Sequence, residues 1–188
     1  MNAQIDISGI TLKTDRLILR PWQQTDLDDF YEYASVDGVG QMAGWLPHEN
    51  KEVTQIVLDS FITHKKTFAL ELDGKVIGSL GIEFYKEDEF AELDGIRGRS
   101  IGYVLSKDYW GKGLMPEAVK ALQKYLFDTA RFDFLLVSHY AFNSQSRRVI
   151  EKCGFRYSKT IRLNTRYGTT EDTLVYILRR EDWENAHT

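Results

Sequence analysis

The feature that most restricts this chain lies at residues 101–118. There an apolar strand, Ile101-Gly102-Tyr103-Val104-Leu105, runs through the turn Tyr109-Trp110-Gly111-Lys112-Gly113 directly into a helix. The first N–H groups of a helix have no intrahelical partner and carry the positive end of its dipole, so a diphosphate placed there gains hydrogen bonds and favourable electrostatics. Gly111 and Gly113 allow close backbone approach, and Pro116 is expected at the first helical position, where an N–H is dispensable.

Around this segment the pattern predicts a mixed α/β sheet. Residues 14–20 read as a first strand ended by Pro21-Trp22, and Thr25 with Asp28 resembles a capping box opening a helix to about Ala34. Residues 35–50 form a Gly-rich, aromatic loop. Asn50 caps a second helix to about Lys65, with Val53, Ile56, Val57, Phe61 and Ile62 at helical spacing. Residues 68–72 and 76–82 flank Asp73-Gly74, a type I′ hairpin signal. An acidic surface loop, residues 87–94, precedes the central strand. The helix after the glycine turn presents Ala118, Val119, Leu122, Tyr125, Leu126 and Thr129 on one face, with Lys120, Gln123 and Lys124 elsewhere. Residues 134–140 form a buried strand, Ser144 to Lys152 a short helix after Asn143 with Gly154 as its C-terminal cap, and residues 155–162 and 173–178 two closing strands around a turn at Tyr167-Gly168.

Length and composition narrow the function classes. A chain of 188 residues, 43% hydrophobic and 28% charged, is expected to form one domain over residues 1–188. A net charge of −4 argues against nucleic acid as a partner. No apolar run reaches the length of a membrane span and the start lacks signal-peptide order, so a cytoplasmic protein without membrane contact is expected. The single Cys153 fits a reducing compartment and, with nothing nearby to activate it, reads as a space-filling thiol. His48, His64, His139 and His187 lack ligand spacing, so no metal is expected. No Gly-x-x-x-x-Gly-Lys-Ser/Thr occurs, which removes a P-loop nucleotide-binding protein.

Three segments in order resemble the GNAT superfamily of acyl-CoA-dependent N-acetyltransferases, and within it the ribosomal-protein N-terminal (RimJ/RimL-like) branch. They are Thr14-Asp15-Arg16-Leu17-Ile18-Leu19-Arg20-Pro21-Trp22, Tyr109-Trp110-Gly111-Lys112-Gly113, and Asn143-Ser144-Gln145-Ser146 followed by Lys152-Cys153-Gly154-Phe155. The resemblance implies a single α/β (α+β) domain whose mostly antiparallel mixed sheet has about seven strands, flanked by about four helices. It implies acetyl-CoA as cosubstrate, with Trp110, Gly111, Lys112, Gly113, Leu114 and Met115 around the pyrophosphate. The backbone of Val104 and Leu105 would pair with the pantetheine arm, and Asn143 would touch that arm. The superfamily usually has Arg or Gln at Trp110 and Gly or Ala at Met115, and Pro116 removes one phosphate donor.

The implied reaction is attack of a neutral amine on the thioester, with protonation of the leaving thiolate. Many relatives use a Tyr on the last helix as acid, but Ile150 stands at that position, which leaves Ser146 as candidate donor or as a first-turn capping hydroxyl. Relatives often carry Glu where this chain has Ser100. Glu83 and His139 are therefore the base candidates, beside the alternatives of a surface carboxylate and a structural imidazole. Trp22, Trp45 and His48 are candidates for the acceptor side, or core packing for the tryptophans. The acceptor is a primary amine, either a small molecule or a protein N-terminus, and the protein a monomer or homodimer. A competing reading is a catalytically degenerate acyl-CoA-binding regulatory module.

Overall fold

Asp73 and Gly74 adopt φ of 51° and 82°, the conformation a type I′ turn requires, and they join the strands β3 (Thr67–Leu72) and β4 (Lys75–Glu83) at the middle of the molecule. The computed structural model describes residues 1–187. Six further strands extend this hairpin: β1 (Leu12–Lys13), β2 (Ile18–Pro21), β5 (Gly98–Leu105), β6 (Phe134–Tyr140), β7 (Arg156–Asn164) and β8 (Thr170–Arg179). They form one eight-stranded sheet in the order β1-β2-β3-β4-β5-β6-β8-β7, in which β5–β6 is the single parallel neighbour pair. Among the described residues there are five α-helices: α1 (Leu27–Ala34), α2 (Lys51–His64), α3 (Leu114–Lys124), α4 (Ser144–Lys152) and α5 (Arg180–Asn185).

Alternation along β3 and β4 sends side chains to opposite faces of the sheet. Phe68, Leu70 and Ile77 pack with Leu114, Ala118, Val119 and Leu122 of α3 and Ile150 of α4, whereas Ala69 and Val76 pack with Phe30 and Tyr33 of α1 and Leu58 of α2. The sheet is thus covered on both sides. Its β5–β6 junction lies between the two helical layers.

The expected fold class holds, with corrections in detail. The strand expected at residues 14–20 begins only at Ile18, as β2, because the Thr14 hydroxyl accepts from the Leu17 N–H at 2.9 Å and turns the chain there; the eighth strand is β1 at Leu12–Lys13, just ahead of the expected range. The fifth helix, α5, has too short a pattern to register in the sequence. Thr25 is exposed, and the capping pair is Gln23 with Asp26, whose carboxylate accepts from the Gln23 N–H at 2.8 Å. Asn50 does cap α2, accepting from the Val53 N–H at 2.9 Å. Along α2, however, Ile56 points to solvent and Thr54 and Leu58 are buried. A single π turn at Tyr125–Thr129 ends α3 and rotates its face, burying Phe127 and exposing Thr129. Gln123 is also buried, donating to the Cys153 carbonyl at 2.9 Å. The acidic loop at 87–94 is anchored by buried Phe90 and Leu93.

Candidate active site

Backbone pairing between β5 and β6 stops at Ile101↔Val137. Beyond that point residues 102–105 stay paired to β4 on one edge, and residues 138–140 pair with β8. The facing edges diverge. Into this wedge opens a cavity of about 550 Å³, which also reaches the glycine turn and α4. An extended chain that fits between two splayed strands can satisfy their free backbone groups as an added strand does. Trp110 closes the far end, donating its indole N–H to the Leu105 carbonyl at 2.8 Å.

At the mouth, Gly111 and Gly113 both take φ of 78°, the left-handed region that favours glycine, and Gly113 is the N-cap of α3. Among the described residues, no group accepts a hydrogen bond from the N–H groups of residues 111–115. Five donors are therefore gathered at the positive end of a helix. Pro116 falls at the third helical position rather than the first, since α3 begins at Leu114; its missing N–H still belongs to the first turn. Leu114 and Met115 bury their side chains and anchor the turn below.

The turn is held from outside by the opening motif of the chain. Arg16 donates to the Lys112 carbonyl at 2.9 Å and to Glu117 at 2.8 Å, while the Thr14 hydroxyl donates to Glu117 at 2.6 Å. Partial burial pushes the Glu117 carboxyl up, but these bonds from Thr14 and Arg16 outweigh it and hold it below the ordinary value. Arg20, from the same motif, grips Asp26 through two bonds of 2.8 and 2.9 Å and Glu71 at 2.6 Å, which keeps its guanidinium charged. The sequence marks this motif by resemblance. Its mechanical role needed the fold, because Arg16 and Glu117 are 101 residues apart.

The three candidate catalytic residues all line the cavity. Glu83 ends β4 opposite Ser100 on β5, is ion-paired to Lys66, and keeps a side chain 43% exposed. His139 is buried. Its Nδ1–H donates to the Tyr140 carbonyl at 2.8 Å, and Nε2 lies 3.2 Å from the Tyr176 hydroxyl, so both ring nitrogens already have partners. Ser146 stands in the first turn of α4 with its hydroxyl 2.8 Å from that of Tyr103, a residue of β5 that the sequence reading did not single out. Asn143 caps α4 by accepting from the Ser146 N–H at 3.0 Å and donates to the Met42 carbonyl at 3.1 Å, tying α4 to the 3-10 turn Gly40–Ala43.

The opposite wall departs from the expectation. Trp22 is buried against Phe30 and Phe61, and Trp45 packs against His48 at 5.1 Å. The His48 Nδ1 lies 2.9 Å from the Thr54 hydroxyl, and burial pushes the imidazole pKa down. None of the three lines the cavity; their ring area is used in the α1–α2 core. Val39, Met42 and Ala43 face the cavity instead, together with Ser138, Tyr140 and Leu163. Lys112 also lies off the cavity, its ammonium 4.9 Å from the Tyr109 ring centroid. Cys153 is buried, which pushes its thiol up to about 12 and keeps it inert. Among the described residues, no three His, Cys, Asp or Glu side chains converge as a metal site, and no helix is long and apolar enough to cross a membrane.

Residues 16–156 match the family model of the acetyltransferase (GNAT) domain. The chain belongs to this family. The chain is similar to the uncharacterized N-acetyltransferase p20 of Bacillus licheniformis, 26% identical over 81% of this chain and 85% of p20. A 62-residue stretch is 40% identical to the uncharacterized protein YkkB of Bacillus subtilis, spanning 33% of this chain and only 36% of YkkB. The fold is similar to that of a GNAT-family acetyltransferase from Bacillus anthracis (TM-score 0.79, 23% identity, 92% of this chain and 99% of that one). It is also similar to that of the microcin C7 self-immunity acetyltransferase MccE, whose structure contains acetyl-CoA and AMP (TM-score 0.74, 15% identity, 88% and 93%).

Proposed function

We propose that this protein transfers the acetyl group of acetyl-CoA to a primary amine, with the thioester carried into the β5–β6 wedge. The observation that carries this reading is the juxtaposition of Gly111, Gly113, Leu114 and Met115, whose N–H groups have no acceptor, with the open edge of residues 102–105 in one cavity. A diphosphate suits the first and an extended amide-bearing arm suits the second. The GNAT membership of the chain and the acetyl-CoA bound by MccE support the same cosubstrate.

Acetyl-CoA supplies an activated thioester. The chain's own residues then have three tasks. Glu83, at the cavity wall and open to solvent, takes the proton that the attacking amine must lose. His139 is the weaker base candidate, since both of its nitrogens have partners. Backbone N–H groups on the open edge of β5 stabilise charge developing on the carbonyl oxygen. Ser146 faces the cavity from the other wall and donates to the departing sulfur. The presence of Glu83 and Ser146 in one cavity favours turnover over a binding-only module.

Within the family we assign the chain to the RimJ/RimL-like branch, on the Asn143-x-x-Ser146 and Trp110-Gly111-Lys112-Gly113 pattern, with a protein N-terminus or a small amine as acceptor. Thiol release from acetyl-CoA, measured across N-terminal peptides, polyamines and amino antibiotics, tests the reading. Amine-dependent release with at least one class supports it. Saturable acetyl-CoA binding with no release across the panel overturns turnover, and absence of binding overturns the site.

A further inference from the structure

Tyr103 lies on the face of β5 that looks toward α4, and its hydroxyl is 2.8 Å from the Ser146 hydroxyl and 3.2 Å from the Ser146 carbonyl oxygen. Both residues line the cavity at the level where β5 and β6 have parted. Three oxygens share two protons, and two arrangements satisfy them. In one, Tyr103 donates to the Ser146 carbonyl and Ser146 donates to Tyr103, so the pair is closed on itself. In the other, Tyr103 donates to the Ser146 hydroxyl, which frees the serine proton for a group in the cavity. Rotation of two hydroxyls converts one into the other. The Ser146 backbone beneath the hydroxyl is held in place, because Asn143 accepts from its N–H at 3.0 Å.

We infer that Tyr103 is the positioning residue of the acid step, turning the Ser146 hydroxyl toward the leaving sulfur and resupplying its proton. This rests on the reading of the cavity as an acetyl-CoA site. In the step, the carbon–sulfur bond breaks and the thiolate takes the Ser146 proton. The serine oxygen takes the Tyr103 proton in the same movement, and the phenol is restored from solvent, into which Glu83 has released the proton of the amine. Charge and protons balance without a further reactant. Burial pushes the Tyr103 phenol well above its ordinary pKa, so it holds its proton across the working pH range. The arrangement replaces a direct donor at Ile150, whose side chain is buried in the core and carries no proton to give.

The test uses the full chain with acetyl-CoA and an accepted amine, comparing Tyr103→Phe, Ser146→Ala and the double variant. Ser146→Ala is expected to lower kcat about a hundredfold and Tyr103→Phe about tenfold, as befits loss of a proton donor and of its partner. Acetyl-CoA affinity and melting temperature should stay near those of the parent. The double variant should be no slower than Ser146→Ala, because the phenol acts only through the serine. The parent should show a solvent deuterium isotope effect on single turnover that shrinks in Tyr103→Phe. An unchanged kcat in Tyr103→Phe, multiplying losses in the double variant, or an isotope effect indifferent to residue 103 would overturn the inference while parent binding and turnover leave the acetyl-CoA reading standing. A parent that binds no acetyl-CoA would instead remove that reading.

Discussion

The two walls of the cavity are built by different means. The wall formed by residues 102–105 and 111–115 presents backbone: an unpaired strand edge and five N–H groups at the start of α3. The wall formed by Val39, Met42, Ala43, Tyr140 and Leu163 presents side chains, the first three from a turn that packs against the Trp45 ring and the last two from β6 and β7. Backbone recognition tolerates change in side-chain identity but not in φ. A side-chain wall can change its specificity freely, provided that the packing behind it survives.

The sharpest way to separate the walls is to damage one and read the other. Trp22→Ala removes a ring packed against Phe30 and Phe61 and should cost about 3–5 kcal/mol of stability, measured by denaturant unfolding. Acetyl-CoA affinity of the folded fraction should not change. A parallel loss of affinity would mean that the walls are mechanically one. The converse variant is Gly113→Glu. A Cβ there meets nothing closer than the Arg16 guanidinium at 3.6 Å, so the fold should survive with a backbone cost of about 1 kcal/mol, while the carboxylate repels a diphosphate. Acetyl-CoA affinity should fall more than about a hundredfold by calorimetry, equivalent to about 2.7 kcal/mol or more.

These positions also mark what could be read from sequence. Gly111, Gly113 and the strand before them act through local conformation, and local conformation is written in consecutive residues. The Asp73-Gly74 turn and the Asn50 cap were legible for the same reason. The side-chain wall was not, because Trp45 and Met42 are close neighbours in one aromatic loop and only tertiary packing decides which faces the cavity. Tyr103 escaped notice since its partner is 43 residues away, although its alternation with Ile101 and Leu105 on one face of β5 was a usable signal. The π turn at Tyr125–Thr129 displaced the expected α3 face, as nothing in the apolar spacing announces one extra residue in a turn.

Smaller effects refine the comparison. Glu83→Gln should reduce turnover by about tenfold to a hundredfold at unchanged acetyl-CoA affinity, as measured by steady-state kinetics and calorimetry. Equal activity would shift the base to His139. Lys112→Ala should change acetyl-CoA affinity by no more than about fivefold, since an exposed ammonium off the cavity is worth at most about 1 kcal/mol. The smallest effect concerns acid. Glu117 is held below its ordinary value of 4.5 by Thr14 and Arg16, so its contribution to stability is present above that pH and is lost as pH falls through its folded value. Glu117→Gln should therefore flatten the acid side of a stability profile followed by thermal melting, and a profile of unchanged slope would contradict the clamp.

The most direct test follows backbone amides by NMR during titration with acetyl-CoA. Binding as described predicts saturable shifts concentrated at residues 102–105 and 111–115, with the indole resonances of Trp22 and Trp45 left in place. Saturable shifts that leave residues 111–115 unmoved would contradict the account.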